Sequence, residues 1–98
     1  MTDPTKPTMT LPTIHMNGTP RQHLIDDAVD AATAVQKAMA VMSKGGPNGR
    51  DYYPQGPEAM GAAVREHDAQ IDKLREVYAW LEARVEALYA IDDNRPNR

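Results

Sequence analysis

Apolar residues recur at helical spacing in the first half of the chain. The step between them alternates between three and four residues, which places them on one face of an α-helix. This stripe comprises Ile25, Ala28, Ala32, Val35, Met39 and Met42. Acidic and polar residues occupy the other faces, so the pattern predicts an amphipathic helix over residues 20–44.

The residues that flank this first stripe are typical of helix ends. Thr19 is predicted as the N-cap, with Pro20 at the first helical position and Gln22 completing a capping box. Gly45 and Gly46 follow the last apolar residue and are expected to end the helix.

A second and longer apolar pattern follows, with steps of four and three over about four heptads. We call it the seam, and it comprises Met60, Val64, His67, Ile71, Leu74, Tyr78, Leu81, Val85 and Leu88. A further stripe of Val77, Trp80, Ala87 and Ile91 widens the apolar face. Gly56 and Pro57 are good helix-start residues, so the pattern predicts a loop over residues 45–56 and a helix over residues 57–91.

Two long helices joined by a short loop predict an all-α fold, a two-helix antiparallel hairpin. A direct reversal at the loop would set Met42 near Met60 and Ile25 near Tyr78. The C-terminal part of the second helix would then overhang the first. An extended N-terminal segment is expected to cover it through Leu11, Ile14 and Met16.

The chain has 98 residues, no Phe and one Trp, so the core must be built from small and medium side chains. A lone hairpin has difficulty offsetting roughly 1.5 kcal/mol of conformational entropy per ordered residue. We therefore expect residues 14–91 to self-associate as a dimer, forming a four-helix bundle, or as a higher oligomer. Residues 1–13 are predicted to be a flexible tail and residues 92–98 a disordered tail.

Charge and composition exclude several classes of function. The net charge of −3 leaves no basic face, which argues against DNA binding. No apolar run is long enough for a membrane span, and the polar, Pro-rich start is unlike a signal peptide. Without cysteine there is no disulfide or thiolate metal site, and no two histidines stand at metal-ligand spacing. We expect a cytoplasmic protein with no metal and no cofactor.

The segment between the helices, residues 46–57 with the sequence GPNGRDYYPQGP, is too rich in recognition residues for a simple connector. Arg50 offers a planar fork of donors to phosphate or carboxylate, and tyrosines offer stacking faces. The candidate ligand-binding residues here are Asn48, Arg50, Asp51, Tyr52, Tyr53 and Gln55. The alternative is structural, with Asp51 pairing with Arg50 and the tyrosines covering the end of the hairpin.

Two further polar groups are candidate site residues. His15 and Asn17 precede the first helix, where an antiparallel dimer would bring the loop of one chain to them and form a composite site; their alternative is ordinary turn chemistry. His67 interrupts the seam and is either a satisfied core histidine, a register-setting residue or a ligand contact.

Catalysis finds little support in the sequence. The single serine, Ser43, is not in a nucleophile elbow, and the Gly-rich loop lacks the Gly-Lys-Ser/Thr ending of a P-loop. The carboxylates are spread along the helices as solvated charges usually are. No catalytic residues are predicted, and we expect that the protein is not an enzyme.

The two polar motifs, IHMNGT at residues 14–19 and PNGRDYYPQGP at residues 47–57, resemble those of small uncharacterised proteins encoded in bacteriophages and prophages. The resemblance extends from Thr13 to about Ile91 and implies the cytoplasm of a bacterial host. By analogy of context, it suggests a binding protein that sequesters a small anionic ligand, such as a nucleotide signal of host immunity. The alternative is a structural or adaptor protein that binds another protein through the loop.

Overall fold

The structure, a computed structural model, describes residues 9–91. Within that range the chain is helical, with no β-strand. Its elements are α1 (Arg21–Lys44), α2 (Gly49–Tyr52), a short 3₁₀ turn (Tyr53–Gln55) and α3 (Pro57–Ala90). The predicted all-α class with two long packed helices is confirmed. Most of the predicted N-terminal tail (residues 1–8) and all of the predicted C-terminal tail (92–98) lie outside the described residues.

The start of α1 differs from the predicted capping box. The capping position is Pro20, and no side chain caps the helix. Gln22 donates instead to the Oδ1 atom of Asp26 at 2.8 Å, one turn along the helix. A glutamine in the first turn can point forward as well as backward, so the spacing alone did not settle which partner it takes.

Long-range hydrogen bonds fix how α1 and α3 pair. The Arg21 Nη1 atom donates to the carbonyl oxygen of Ile91 at 2.7 Å, which brings the start of α1 to the end of α3. At the other end, the His67 imidazole bonds to the carbonyl oxygen of Met42 at 2.6 Å. The helices are therefore antiparallel, but Met42 lies beside His67 and not beside Met60, so the predicted register is wrong.

The cause of this shift lies in the connecting segment. It was predicted as a loop that reverses the chain directly, whereas α2 and the 3₁₀ turn form within it and contact α3. Residues 57–66 consequently extend past the end of α1, and the connecting segment lies against this overhang. The overhang is thus at the loop end of the hairpin, and the end that was expected to overhang is closed by Arg21.

The core of the hairpin is thin. Three side chains are at most 1% exposed, namely Ile14, Ile25 and Leu88, and four others complete the buried set: Ala28, Ala63, Ile71 and Leu81. The Cα atoms extend over 68 × 30 × 16 Å, the dimensions of two helices side by side in one layer. Such a layer leaves one face of each helix without a partner from the described part of the chain.

At the end of the hairpin opposite the connecting segment, which we call the open end, Ile14 of the N-terminal segment is buried. Ile14 is 1% exposed, as expected of a docked side chain, whereas Met16 is 72% exposed. Leu11 is 38% exposed and so partly covered. The expectation that all three residues are docked on the hairpin is therefore wrong for Met16. The tight turn after Ile14, in which the Gly18 N–H donates to the carbonyl oxygen of His15, directs Met16 outward.

Candidate functional site

The segment 46–57, which we call the knuckle, is an ordered structure built on Asn48. The Oδ1 atom of Asn48 accepts the backbone N–H of Arg50 at 2.9 Å and so caps α2. The same oxygen lies 3.4 Å from the Nε atom of Arg50. Asn48 therefore orders the backbone of the knuckle and also holds the base of the arginine side chain.

Arg50 is exposed at the tip of the knuckle. The structural alternative, an ion pair between Arg50 and Asp51, does not form within residues 9–91, where the one salt bridge joins Asp72 and Arg75. The terminal nitrogens of the guanidinium thus face solvent without a carboxylate from the described residues. An arginine in this state retains its full capacity to bind an anion.

The two tyrosines of the knuckle have different environments. Tyr52 is half-buried, whereas Tyr53 is 76% exposed and starts the 3₁₀ turn next to it. Gln55 closes that turn and is also exposed. Among the candidate residues of the knuckle, those that are exposed are Asn48, Arg50, Asp51, Tyr53 and Gln55, and the Oδ1 atom of Asn48 is engaged as the cap of α2.

Gly56 joins the 3₁₀ turn of the knuckle to α3 in a conformation that only glycine adopts readily. Its backbone angles are φ 109° and ψ 164°, in a region where side-chain-bearing residues cost of order 1–3 kcal/mol. A Cβ atom added there would meet nothing within 4 Å, so the constraint is purely one of backbone conformation. Gly56 thus sets the direction in which the chain passes from the 3₁₀ turn into α3.

Replacing Gly56 with alanine is expected to lower the free energy of unfolding by about 1–3 kcal/mol because of this backbone strain. Gly49 is the matched control, since its surroundings are equally open and its φ is not positive. Gly49→Ala should be neutral or stabilise by up to about 1 kcal/mol. Urea denaturation of both variants measures the difference, and equal midpoints would contradict the role given to Gly56.

His67 lies on α3, C-terminal to the knuckle, and one of its ring nitrogens makes a structural hydrogen bond. Its Nε2 atom lies 2.6 Å from the carbonyl oxygen of Met42, one of the last carbonyls of α1 that have no partner within the helix. The ring also lies beside Gly46, whose added Cβ would be 3.8 Å from it. His67 therefore joins α3 to the end of α1, and only its other ring nitrogen is available to a ligand.

His15 and Asn17 lie at the far end of the hairpin from the knuckle. Their turn precedes α1 and the knuckle follows it, so the two motifs are separated by about 36 Å, the length of a 24-residue helix. Both side chains are exposed. The His15 ring covers Gly18, where an added Cβ would be 2.7 Å from the Nε2 atom. A single chain does not bring the two motifs together.

Two grooves lie along one face of the hairpin, and the predicted site residues line neither of them. The larger, of about 450 Å³, is bordered by Val29, Ala32, Thr33, Gln36, Tyr78, Glu82, Ala83, Val85 and Glu86. The smaller, of about 370 Å³, is bordered by Ser43, Asp68, Ile71, Asp72 and Arg75. Sequence reasoning missed these grooves because it assigned Ala32 and Tyr78 to contacts between the two helices and Val85 to the overhang that the N-terminal segment was expected to cover.

The capping role of Arg21 was also not predicted from the sequence. Besides Ile91, its Nη1 atom lies 3.4 Å from the carbonyl oxygen of Tyr89, so it caps the last turn of α3. Partners that lie some 70 residues apart in the chain leave no local sequence signal.

Two features are absent from the described range. Among residues 9–91, no three His, Asp or Glu side chains are grouped as a metal ion would require. In the same range, no helix is long and apolar enough to cross a membrane.

Comparison with known proteins adds no further constraint. No protein family matches the chain, and no curated protein and no solved structure is significantly similar to it. The resemblance of its two motifs to phage and prophage proteins stays a prediction, and the function has to be inferred from the geometry of the site.

Proposed function

We propose that the protein is a non-catalytic binding protein whose knuckle takes a small anionic ligand, such as a nucleotide. The observation that carries this proposal is the state of Arg50. Its side chain is ordered at its base by Asn48, exposed at its tip and without a carboxylate partner among residues 9–91. A preorganised and unneutralised guanidinium is well suited to bind phosphate or carboxylate.

The exposed side chains next to Arg50 favour a ligand that carries an aromatic ring as well as a negative charge. The exposed ring of Tyr53 can stack on a base, and the exposed amide of Gln55 can bond to its polar edge. Neither of the two grooves is lined by the knuckle, whereas small-molecule sites are concave. We therefore place the complete site at the junction with a second copy, whose His15 and Asn17 would supply the opposite wall.

In this proposal the protein sequesters its ligand in the bacterial cytoplasm and does not transform it. We take the setting from the resemblance to phage and prophage proteins, and the absence of turnover from the sequence, which has neither a nucleophile elbow nor a P-loop. Purified protein should then retain a small molecule in stoichiometric amount, which native mass spectrometry would detect.

Replacing Arg50 with alanine is expected to weaken ligand binding by roughly tenfold to a hundredfold, since a hydrogen bond to a charged group contributes about 1.5–3 kcal/mol. Isothermal titration of a panel of nucleotides measures this. Lys73→Ala, which removes an exposed positive charge in the middle of α3, is the control and should bind normally. Arg50→Lys should fall between the two, because it keeps the charge and loses the fork.

A second candidate function is that of an adaptor that binds another protein through the knuckle. The observation that favours it is the 76% exposure of Tyr53, which lines neither groove. Tyrosine and arginine are enriched at the centres of protein interfaces. A protein partner lost on Tyr53→Ala, together with no binding across the nucleotide panel, would establish the adaptor in place of the ligand binder.

A further inference from the structure

One face of the hairpin is not covered by any described element of the chain. Val29, on the wall of the larger groove, is 43% exposed. Ala32, Tyr78 and Val85 border the same groove and are only half-buried, although the stripe and the seam to which they belong form the apolar faces of their helices. This face is therefore a partly apolar groove that no described element covers, and its other lining residues include Thr33, Gln36, Glu82 and Glu86.

We propose that a second copy of the chain packs on this face, antiparallel to the first and related to it by a two-fold axis. The inference names the surface and orientation of the self-association in the proposed function, and it does not depend on the ligand. A single layer of two helices with a thin core is a weak basis for stability. A second layer would bury the remaining apolar residues as a four-helix bundle does.

The charges on α1 indicate that the partner is another copy of the same helix. Asp30 and Lys37 are respectively one turn before and one turn after Thr33, a residue of the groove, so both lie along its edge. An axis that passes midway between them brings Asp30 of each copy opposite Lys37 of the other. The edge of α1 is thus complementary to itself in the antiparallel orientation.

The outer edge of α3 is compatible with an axis at nearly the same place. Arg75 and Glu86 border the two grooves on this edge. The hydrogen bonds of Arg21 with Ile91 and of His67 with Met42 set the midpoint of the α1 pair level with about Val77, which is about one helical turn from the midpoint of the α3 pair. An axis through the α1 midpoint therefore passes close to the α3 midpoint. Arg75, which pairs with Asp72 of its own chain, then comes within about one helical turn of Glu82 of the other copy.

The competing orientation is disfavoured by the same charges. An axis along the length of the hairpin would lay α1 of one copy over α3 of the other and set Asp30 close to the level of Glu82, so that two acidic residues would meet. The antiparallel arrangement avoids this clash. It also brings the knuckle of one copy to the same end of the assembly as His15 and Asn17 of the other.

Sedimentation equilibrium tests the surface. Wild type should sediment as a dimer of the 10.8 kDa chain. Val29→Glu should raise the dissociation constant by at least about tenfold, because it buries an unpaired charge. Val41→Glu is the matched control, since Val41 is 60% exposed on α1 and borders neither groove, and its dissociation constant should equal that of wild type. Circular dichroism should show both variants folded.

The outcomes separate this inference from the proposed function. A wild-type dimer that Val29→Glu and Val41→Glu affect equally would overturn the surface and leave self-association standing. A wild-type monomer throughout the micromolar range would overturn both the surface and the composite site, while ligand binding by Arg50 would still be measured separately. A trimer or another odd oligomer would contradict the two-fold axis.

Two further experiments, a cross-linking test and a charge swap, examine the orientation. The chain has no cysteine, so Thr33→Cys places one thiol per copy beside the proposed axis, and oxidation should give a covalent dimer, whereas Val41→Cys should not. Lys37→Glu should weaken the dimer, and the swap Asp30→Lys with Lys37→Glu should restore it. No cross-link at Thr33 together with no restoration by the swap would overturn the antiparallel arrangement.

Discussion

Replacing Leu88 with alanine is expected to lower the free energy of unfolding by about 2–5 kcal/mol, because the substitution removes buried methyl groups and leaves a cavity. Leu88 is 0% exposed, and the Arg21–Ile91 hydrogen bond closes the chain one turn beyond it. In so thin a core, a loss of this size is a large fraction of the total stability. Chemical denaturation at a fixed protomer concentration measures it.

The adjacent Tyr89 provides the control for Leu88. Its side chain is 60% exposed on the same turn of α3, and Tyr89→Ala should change the free energy of unfolding by no more than about 0.5 kcal/mol. Leu88→Val, a smaller truncation, keeps the test informative if the alanine variant does not fold. Comparable losses for Leu88→Val and Tyr89→Ala would contradict a core centred at the open end.

The helices were predictable from sequence because their signals are local. The predicted bounds, 20–44 and 57–91, differ by one residue from Arg21–Lys44 and Pro57–Ala90. Apolar spacing and the Gly and Pro residues at the ends contain that information. The capping box was wrong for a related reason, since Gln22 has two local partners of similar quality and spacing does not rank them.

The register between the helices was not predictable in the same way. It depends on whether the connecting segment reverses the chain directly or folds on α3, and that choice depends on the Asn48 cap and on the positive φ of Gly56. Both residues were visible in the sequence as turn formers. What the sequence lacked was the tertiary contact of α2 with α3, which decides how far α3 extends past α1.

The candidate site was predictable as a set of residues but not as a geometry. Asn48 and His67 were candidates for ligand contact, and both have structural contacts that spacing could not reveal, with the Arg50 backbone and the Met42 carbonyl oxygen. Arg50 and Tyr53 are exposed as a binding role requires. The distance between the knuckle and Asn17 follows from the length of α1, so their meeting depends on assembly.

Ile14 makes the docked N-terminal segment a part of the fold, and Ile14→Ala is expected to cost about 2–5 kcal/mol, comparable to Leu88→Ala. Ile14 is 1% exposed although it lies outside every helix, so its cover comes from tertiary contacts alone. The exposed Met16, two residues further along, is the control, and Met16→Ala should have little effect. Ile14→Val should cost about 0.5–1.5 kcal/mol and give a graded series.

A double-mutant cycle between Ile14 and Leu88 then decides whether one cluster closes the open end. Once either side chain is truncated, the other has less to pack against, so the loss for the double variant should be smaller than the sum of the two single losses by at least about 0.5 kcal/mol. Additive losses would place Ile14 in a separate contact. In the coupled case His15 and Asn17 are held in place by the core of the hairpin, which is what a second wall of the proposed site requires.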